Sequence, residues 1–99
     1  MAVSSTFLAK VKLALRVTST TFDSQISDLI EEAILDMTKT ADIKTFDTTN
    51  ADAIQTGAVI AYVSYRWFGM DEKYFNAYND IKMKMSTSSA YRPGVVPDV

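Results

Sequence analysis

Carboxylates are the side chains of this 99-residue chain that could most readily do chemistry, because it contains no histidine and no cysteine. Its one dense acidic cluster comprises Asp28, Glu31, Glu32 and Asp36. Asp28, Glu32 and Asp36 follow one another at intervals of four residues, which places them along one face of a helix. A divalent cation needs oxygen ligands that converge on one point. The spacing therefore predicts a solvated polar face and no metal site.

Patterns that would activate a nucleophile are also missing from the sequence. Serine and threonine are common, but no Ser-x-x-Lys, no Gly-x-Ser-x-Gly and no glycine-rich phosphate loop accompanies them. Without histidine or cysteine, nothing in the pattern would take a proton from a hydroxyl. We therefore expect no enzymatic activity and no cofactor.

The charge balance argues against two classes of partner. Ten Lys and Arg residues against twelve Asp and Glu residues give a net charge of −2. This leaves no basic footprint for nucleic acid and too little acidity for a DNA mimic. No apolar run reaches the roughly 18 residues of a membrane span, and no secretory signal pattern opens the chain. These features favour a soluble intracellular domain that works through protein contacts.

Glycine and proline positions predict where the elements end. The three glycines are Gly57, Gly69 and Gly94, and the two prolines are Pro93 and Pro97. Because proline removes a backbone donor and favours extended geometry before it, the end of the chain cannot be helical. The sequence predicts an all-α fold, with a small bundle of about four helices in residues 1–86 and an extended C-terminal tail in 87–99.

Two amphipathic patterns predict the first two helices. The first helix is expected over 5–16, with these apolar residues on one side: Val3, Phe7, Leu8, Val11, Ala14 and Leu15. A strand is the alternative over 11–17, where apolar and polar residues partly alternate. The second has the clearest helical spacing, and its apolar stripe comprises Phe22, Ile26, Leu29, Ile30, Ala33, Ile34 and Met37. Thr20 or Thr21 is its expected N-cap.

A threonine-rich loop is predicted between the second and third helices, from Thr38 to Asn50. Threonine, aspartate and asparagine side chains compete for backbone hydrogen bonds and so favour turns. Ile43 and Phe46 are its only large apolar residues, and we expect them to anchor it. A short strand is an alternative here.

The third and fourth helices carry most of the aromatic residues. The third is expected to begin after Thr49 or Asn50 as N-cap and to end at Gly69. Its apolar residues are Ile54, Ala58, Val59, Ala61, Tyr62, Val63, Tyr65, Trp67 and Phe68, and such wide apolarity predicts the central helix. The fourth begins at Asp71 and carries Tyr74, Phe75, Tyr78, Ile81 and Met85. We expect the aromatic side chains where these helices meet to pack in the core, with some tyrosines as interface anchors.

Opposite charges separate into the first two predicted helices. Residues 1–20 contain three cations and no acid, whereas residues 21–36 contain five acids and no cation. Such helices could pair within one chain or across a subunit boundary, where complementary patches fix orientation. The candidate subunit interface has two halves that would face each other: Lys10, Lys12 and Arg16 against Asp28, Glu32 and Asp36.

The tail is the strongest candidate for docking to another protein. Its candidate docking residues are Tyr91, Arg92, Val95, Val96 and Val99. An extended segment can add a strand to a partner's sheet or lie in a groove. The alternative is a tail that stays disordered.

Three stretches of the sequence resemble one family. They are Lys12-x-x-Leu15-Arg16-Val17 with Phe22-Asp23-x-x-Ile26-x-x-Leu29-Ile30-x-x-Ala33, the helix over 58–69, and Tyr78-x-x-Ile81 leading to Ser86-Thr87-Ser88-Ser89-Ala90-Tyr91. In this order they resemble the small head–tail connector proteins, also called adaptor or head-completion proteins, of long-tailed bacteriophages and prophages. The resemblance covers about residues 8 to 91.

The resemblance implies a structural virion protein. It implies a homo-oligomeric ring of about twelve copies beneath the portal protein, through which DNA passes without sequence-specific binding. The ring would extend the DNA channel and carry the next head-completion or tail protein. The tail over 86–99, and secondly the loop over 38–50, would contact the portal. The implied location is the head–tail junction of the virion, and the host cytoplasm during assembly.

Two other classes of function stay open. One is a small adaptor or inhibitor that binds a single protein one-to-one through the aromatic junction. The other is an acidic DNA mimic or nucleic-acid module, which the weak net charge and the missing basic face disfavour.

Overall fold

A computed structural model describes residues 3–88 and residue 91 of the chain. Over these residues the chain forms four helices and no strand. The helices are α1 (Ser5–Leu15), α2 (Asp23–Thr40), α3 (Ala53–Trp67) and α4 (Glu72–Ser86). The predicted all-α bundle is confirmed, and the short strand considered for the loop before α3 does not form.

Helix α1 buries a narrow apolar stripe. Its N-cap is Ser4, whose Oγ accepts a hydrogen bond from the Phe7 amide at 3.1 Å, and it ends where Arg16 adopts a left-handed φ of 59°. The buried residues are Phe7, Val11 and Leu15. The prediction that Ala14 shares this face is wrong, since it is exposed. Phe7, Val11 and Leu15 are four residues apart, so each points about 40° further around the helix than the one before, and the stripe turns away from Ala14.

Helix α2 buries the predicted stripe from Ile26 to Met37, but Phe22, the first residue of that stripe, lies at the N-cap and is 41% exposed. The predicted N-cap is wrong, because Phe22 occupies that position without a side-chain bond and the Asp23 amide donates to the Thr20 carbonyl. The predicted start of the loop at Thr38 is also wrong. The hydroxyls of Thr38 and Thr40 bond back to carbonyls four residues earlier, at 2.9 and 2.7 Å. A helical threonine can make this bond to the carbonyl four residues earlier, and helix α2 continues through both threonines.

Helix α3 is the centre of the bundle, as predicted, and packs against the other three helices. Its N-cap is Asp52 rather than Thr49 or Asn50. The Asp52 carboxylate accepts from the Gln55 amide at 2.8 Å, and the Gln55 side chain accepts from the Asp52 amide at 3.0 Å. This reciprocal pair fixes the start of the helix. Beyond its end, Gly69 has the predicted left-handed backbone, with φ 79°.

The loop before α3 is anchored to the core, as expected. Ile43 is buried and Phe46 is half-buried against the core. Thr48 is also buried, and its Oγ1 accepts from the Ser4 amide at 2.8 Å. The loop therefore holds the beginning of α1 as well as the end of α2.

Helix α4 begins at the predicted place. Its N-cap is Asp71, whose carboxylate accepts from the Lys73 amide at 3.1 Å. Its buried residues are Tyr78 and Met85, while Phe75 is partly exposed. On α3, Ile54 and Phe68 are likewise more exposed than their place in the predicted stripe implied, because they lie in the first turn and at the C-cap.

Candidate functional site

Glu32 on α2 joins that helix to α3 through two hydrogen bonds. The Tyr62 hydroxyl donates to Glu32 Oε1 at 2.5 Å, and Arg66 Nη1 donates to the same oxygen. Tyr62 and Arg66 lie four residues apart, so they occupy one face of α3. A neutral donor and a cation thus converge on one carboxylate.

Asp36 repeats this arrangement with α4, one turn further along α2. The Tyr78 hydroxyl donates to Asp36 Oδ2 at 2.5 Å, and Lys82 Nζ lies 3.3 Å from the same oxygen. The rings of Tyr62 and Tyr78 meet edge to face, with centroids 5.1 Å apart. The two arrangements therefore form one continuous feature, here called the acid–tyrosine seam: Glu32, Asp36, Tyr62, Arg66, Tyr78 and Lys82.

The phenols of the seam are held in their protonated form. Burial raises the pKa of Tyr62 to about 12, and its hydrogen bond to Glu32 contributes, while Arg66 opposes the shift. Burial and the hydrogen bond to Asp36 likewise raise the pKa of Tyr78. The hydrogen bond to Tyr62 and the charge of Glu32 raise the pKa of Arg66, although desolvation opposes this. At neutral pH both tyrosines are hydrogen-bond donors that hold α3 and α4 against α2.

The seam changes how the acidic cluster is interpreted. Asp28 is exposed, as a solvated face requires, but Glu32 and Asp36 are partly buried and bonded to other helices. The expectation of a solvated face is therefore wrong for these two residues. The sequence carried one signal, which is that a tyrosine precedes a cation by four residues both at Tyr62 with Arg66 and at Tyr78 with Lys82. This spacing places each pair on one helix face but does not identify the acid that the pair contacts. Their role in a subunit contact stays a prediction.

The cationic half of the predicted interface divides in a similar way. Lys12 Nζ lies 2.6 Å from Asp23 Oδ1, so this pair joins α1 to α2 within one chain. Lys10 and Arg16 are exposed. Over the described residues, neither of their side chains has an ionic or hydrogen-bonded partner.

Tyr91 of the predicted docking segment is bound to its own chain. Its hydroxyl donates to Asp52 Oδ2 at 2.5 Å, its carbonyl accepts from the Lys44 amide at 2.6 Å, and its ring packs against the core. The bond to Asp52 raises the pKa of Tyr91. Desolvation favours a higher pKa for Asp52, but hydrogen bonds from the Gln55 amide, Tyr91 and the Ile54 amide lower it. The remaining predicted docking residues, Arg92, Val95, Val96 and Val99, lie outside the described residues.

The aromatic junction is only partly a core feature. Tyr62 and Tyr78 are buried, as expected. At the turn between α3 and α4, however, the rings of Phe68 and Tyr74 stack with centroids 5.6 Å apart, and the side chains of Phe68 and Met70 are 47% and 59% exposed. This end of the bundle presents an aromatic and methionine surface.

Over residues 3–88 and 91, no group of three or more His, Cys, Asp or Glu residues could hold a metal ion. None of the helices in this part of the chain has the length and apolar character needed to cross a membrane. In comparisons with known proteins, no protein-family model, no curated protein and no solved structure matches the chain.

Proposed function

We propose that this chain is a structural subunit of the head–tail junction of a long-tailed bacteriophage. In this proposal, copies form a ring at the portal vertex that joins the DNA-filled head to the tail and extends the DNA channel. The four-helix, all-α architecture supports it, because this is the fold that the resemblance implies.

The observation that carries the proposal is the hydrogen bond between the Lys44 amide and the Tyr91 carbonyl. The resemblance assigns portal contacts to two segments, the loop over 38–50 and the C-terminal tail. Lys44 belongs to the first and Tyr91 to the second, so the loop lies beside the last residue of the tail that the structure describes. The eight residues after Tyr91 could reach about 28 Å from this point if fully extended. A single partner could therefore engage both segments.

The test is the native mass of the protein, with and without the portal protein of the same phage. We expect light scattering and negative-stain imaging to show closed rings of about twelve copies, formed by the free protein or on the portal. Removal of residues 92–99 should abolish portal binding and leave the thermal stability of the bundle unchanged. A protein that stays monomeric and does not bind the portal would overturn the proposal.

One observation favours a second candidate, a small adaptor or inhibitor with a single protein partner. The surface formed by exposed Phe68 and Met70 beside half-buried Tyr74 has the composition of an interface core, in which aromatic and methionine side chains are enriched. This function predicts a one-to-one complex that a Phe68→Ala change weakens. Removal of residues 92–99 would leave that complex intact, which separates the two candidates.

A further inference from the structure

Two leucines lie on the outer surfaces of neighbouring helices. Leu13 on α1 is 80% exposed and Leu35 on α2 is 50% exposed. At about 100° per residue, each lies opposite the buried stripe of its own helix. Single exposed leucines are common in proteins, so their significance depends on the charges around them.

The charges beside these leucines have opposite signs and no partner within the chain. Lys10 and Arg16 flank Leu13, three residues to either side. Asp28 and Glu31 precede Leu35 by seven and four residues, which places all three on one line along α2. Among the described residues, none of these four charged side chains has an ionic or hydrogen-bonded partner. Lys39 lies one turn beyond Leu35 on the same helix, away from the two acids.

We propose that these surfaces are the two halves of a contact between neighbouring copies of this chain. The basic stripe is Lys10, Leu13 and Arg16, and the acidic stripe is Asp28, Glu31 and Leu35. In the contact, the basic stripe of one copy faces the acidic stripe of the next. This inference rests on the proposed function and names the surface through which the ring would form.

The occupant is a second copy because one chain presents both complementary surfaces on different helices. Lys12 forms an ion pair with Asp23, while Glu32 and Asp36 accept hydrogen bonds within the acid–tyrosine seam. The charges left for an outside partner are therefore Lys10 and Arg16 on α1, and Asp28 and Glu31 on α2, with Lys39 one turn beyond Leu35. Since the two surfaces differ, the contact is heterologous, and such a contact forms a ring when its rotation closes.

A groove beside Leu13 could accommodate Leu35 of the adjacent copy. It has a volume of about 330 Å³ and is lined by the apolar side chains of Leu8, Ala9, Leu13 and Val17 together with Ser5, Lys12 and Asp23. Leu35 of the adjacent copy would enter this groove. Asp28 and Glu31 would then approach Lys10 and Arg16 along the same line.

Engineered cysteines test the contact directly, because the natural chain contains none. Leu13→Cys and Leu35→Cys proteins are mixed at high concentration and oxidised. We expect disulfide-linked heterodimer in about tenfold excess over the dimer that either variant forms alone, as complementary charges orient the encounter. Leu13→Cys mixed with Met83→Cys is the matched control, since Met83 is 67% exposed on α4. A yield no higher than that of the control overturns the inference.

Charge exchange provides a second readout. Two double variants reverse the charge of one stripe each: Lys10→Glu with Arg16→Glu, and Asp28→Lys with Glu31→Lys. Each variant alone should self-associate about tenfold or more weakly, and mixing the two should restore association because each then meets a stripe of opposite charge. Asp80→Lys with Lys84→Glu, both exposed on α4, should have no such effect. If the protein forms rings but Leu13→Cys and Leu35→Cys do not cross-link, this inference is overturned and the proposed function stands. If they cross-link but the protein neither forms rings nor binds the portal, the proposed function is overturned and this inference stands.

Discussion

At the scale of single residues, the acid–tyrosine seam shows how two carboxylates can lie between helices at low cost. Glu32 and Asp36 each accept one hydrogen bond from a tyrosine and one contact from a cation. A partly buried carboxylate is costly unless its lone pairs are satisfied. The tyrosine supplies a directional donor and the cation balances the charge, so the pair specifies how α3 and α4 sit against α2.

Alkaline pH should destabilise the protein through the two phenols of the seam. Their folded pKa values exceed the ordinary value of 10.0. Their stabilising effect is therefore complete below pH 10 and is lost as the pH rises through the folded values. Each tyrosine contributes at most about 1.4 kcal/mol of lost stability per pH unit. Urea unfolding between pH 8 and 11 should show this fall, and the Tyr62→Phe, Tyr78→Phe double variant should reduce it. If stability falls equally steeply in the double variant, the loss at high pH does not arise from Tyr62 and Tyr78.

Removing a charge of the acid–tyrosine seam should lower the free energy of unfolding more than removing a nearby charge that has no partner. Glu32→Gln weakens the bonds from Tyr62 and Arg66, and we expect a loss of about 1 kcal/mol, since the pair is partly open to solvent. Asp28→Asn is the matched control on the same helix and should change the free energy of unfolding by only a few tenths of a kcal/mol. Urea titration at neutral pH compares the two. Equal effects would mean that the seam does not stabilise the fold.

At the scale of the helices, Asp52 connects the start of α3 to the C-terminal segment. One carboxylate oxygen accepts from the Gln55 amide, and the other accepts from the Tyr91 hydroxyl. The first bond satisfies an amide that the helix leaves unpaired in its first turn. The helix cap and the attachment of Tyr91 therefore depend on the same side chain.

Asp52→Ala should affect both features together. We expect the loss of the cap to cost about 1 kcal/mol, and hydrogen exchange of the Lys44 amide to become faster, because that amide is bonded to the Tyr91 carbonyl. Asp71→Ala removes only the cap of α4 and should leave exchange at Lys44 unchanged. Amide exchange measured by NMR separates the two variants. Unchanged exchange in Asp52→Ala would show that Tyr91 is held by other contacts.

The helices could be predicted from the sequence because their apolar residues repeat with a clear period. The stripe from Ile26 to Met37 left no other way to bury so many aliphatic side chains. The caps were harder, since several Thr, Asn and Asp residues near each helix start could serve, and backbone geometry selects one of them. The seam was missed for a different reason. The spacing of Tyr62 and Arg66 shows that they share a face, but only the packing of three helices shows that Glu32 lies opposite.

At the scale of the whole molecule, charge is divided between the inside and the outside of the bundle. Lys12, Glu32 and Asp36 form ion pairs within one chain, whereas the basic and acidic stripes are exposed except for Glu31, which is half-buried. Internal pairs are partly shielded from salt, while exposed charges are screened within about 10 Å at 0.1 M ionic strength. Folding and assembly should therefore respond differently to salt.

Raising the ionic strength from low to molar salt should reduce self-association and leave the fold nearly unchanged. Sedimentation velocity should show smaller species at high salt, while the thermal midpoint from circular dichroism shifts little. The Lys10→Glu, Arg16→Glu variant provides the control, because its residual association should no longer weaken with salt. Assembly that strengthens with salt in the natural protein would indicate an apolar contact instead.

The two bonds of Tyr91 also bear on how mechanical load would pass through the protein. A load applied at Tyr91 would divide between the Lys44 amide and the Asp52 carboxylate, to which this residue is hydrogen-bonded. One path leads into the loop that Ile43 anchors in the core, and the other into the first turn of the central helix. A pull on Tyr91 would thus be borne by the interior of the bundle rather than by the last turn of α4 alone.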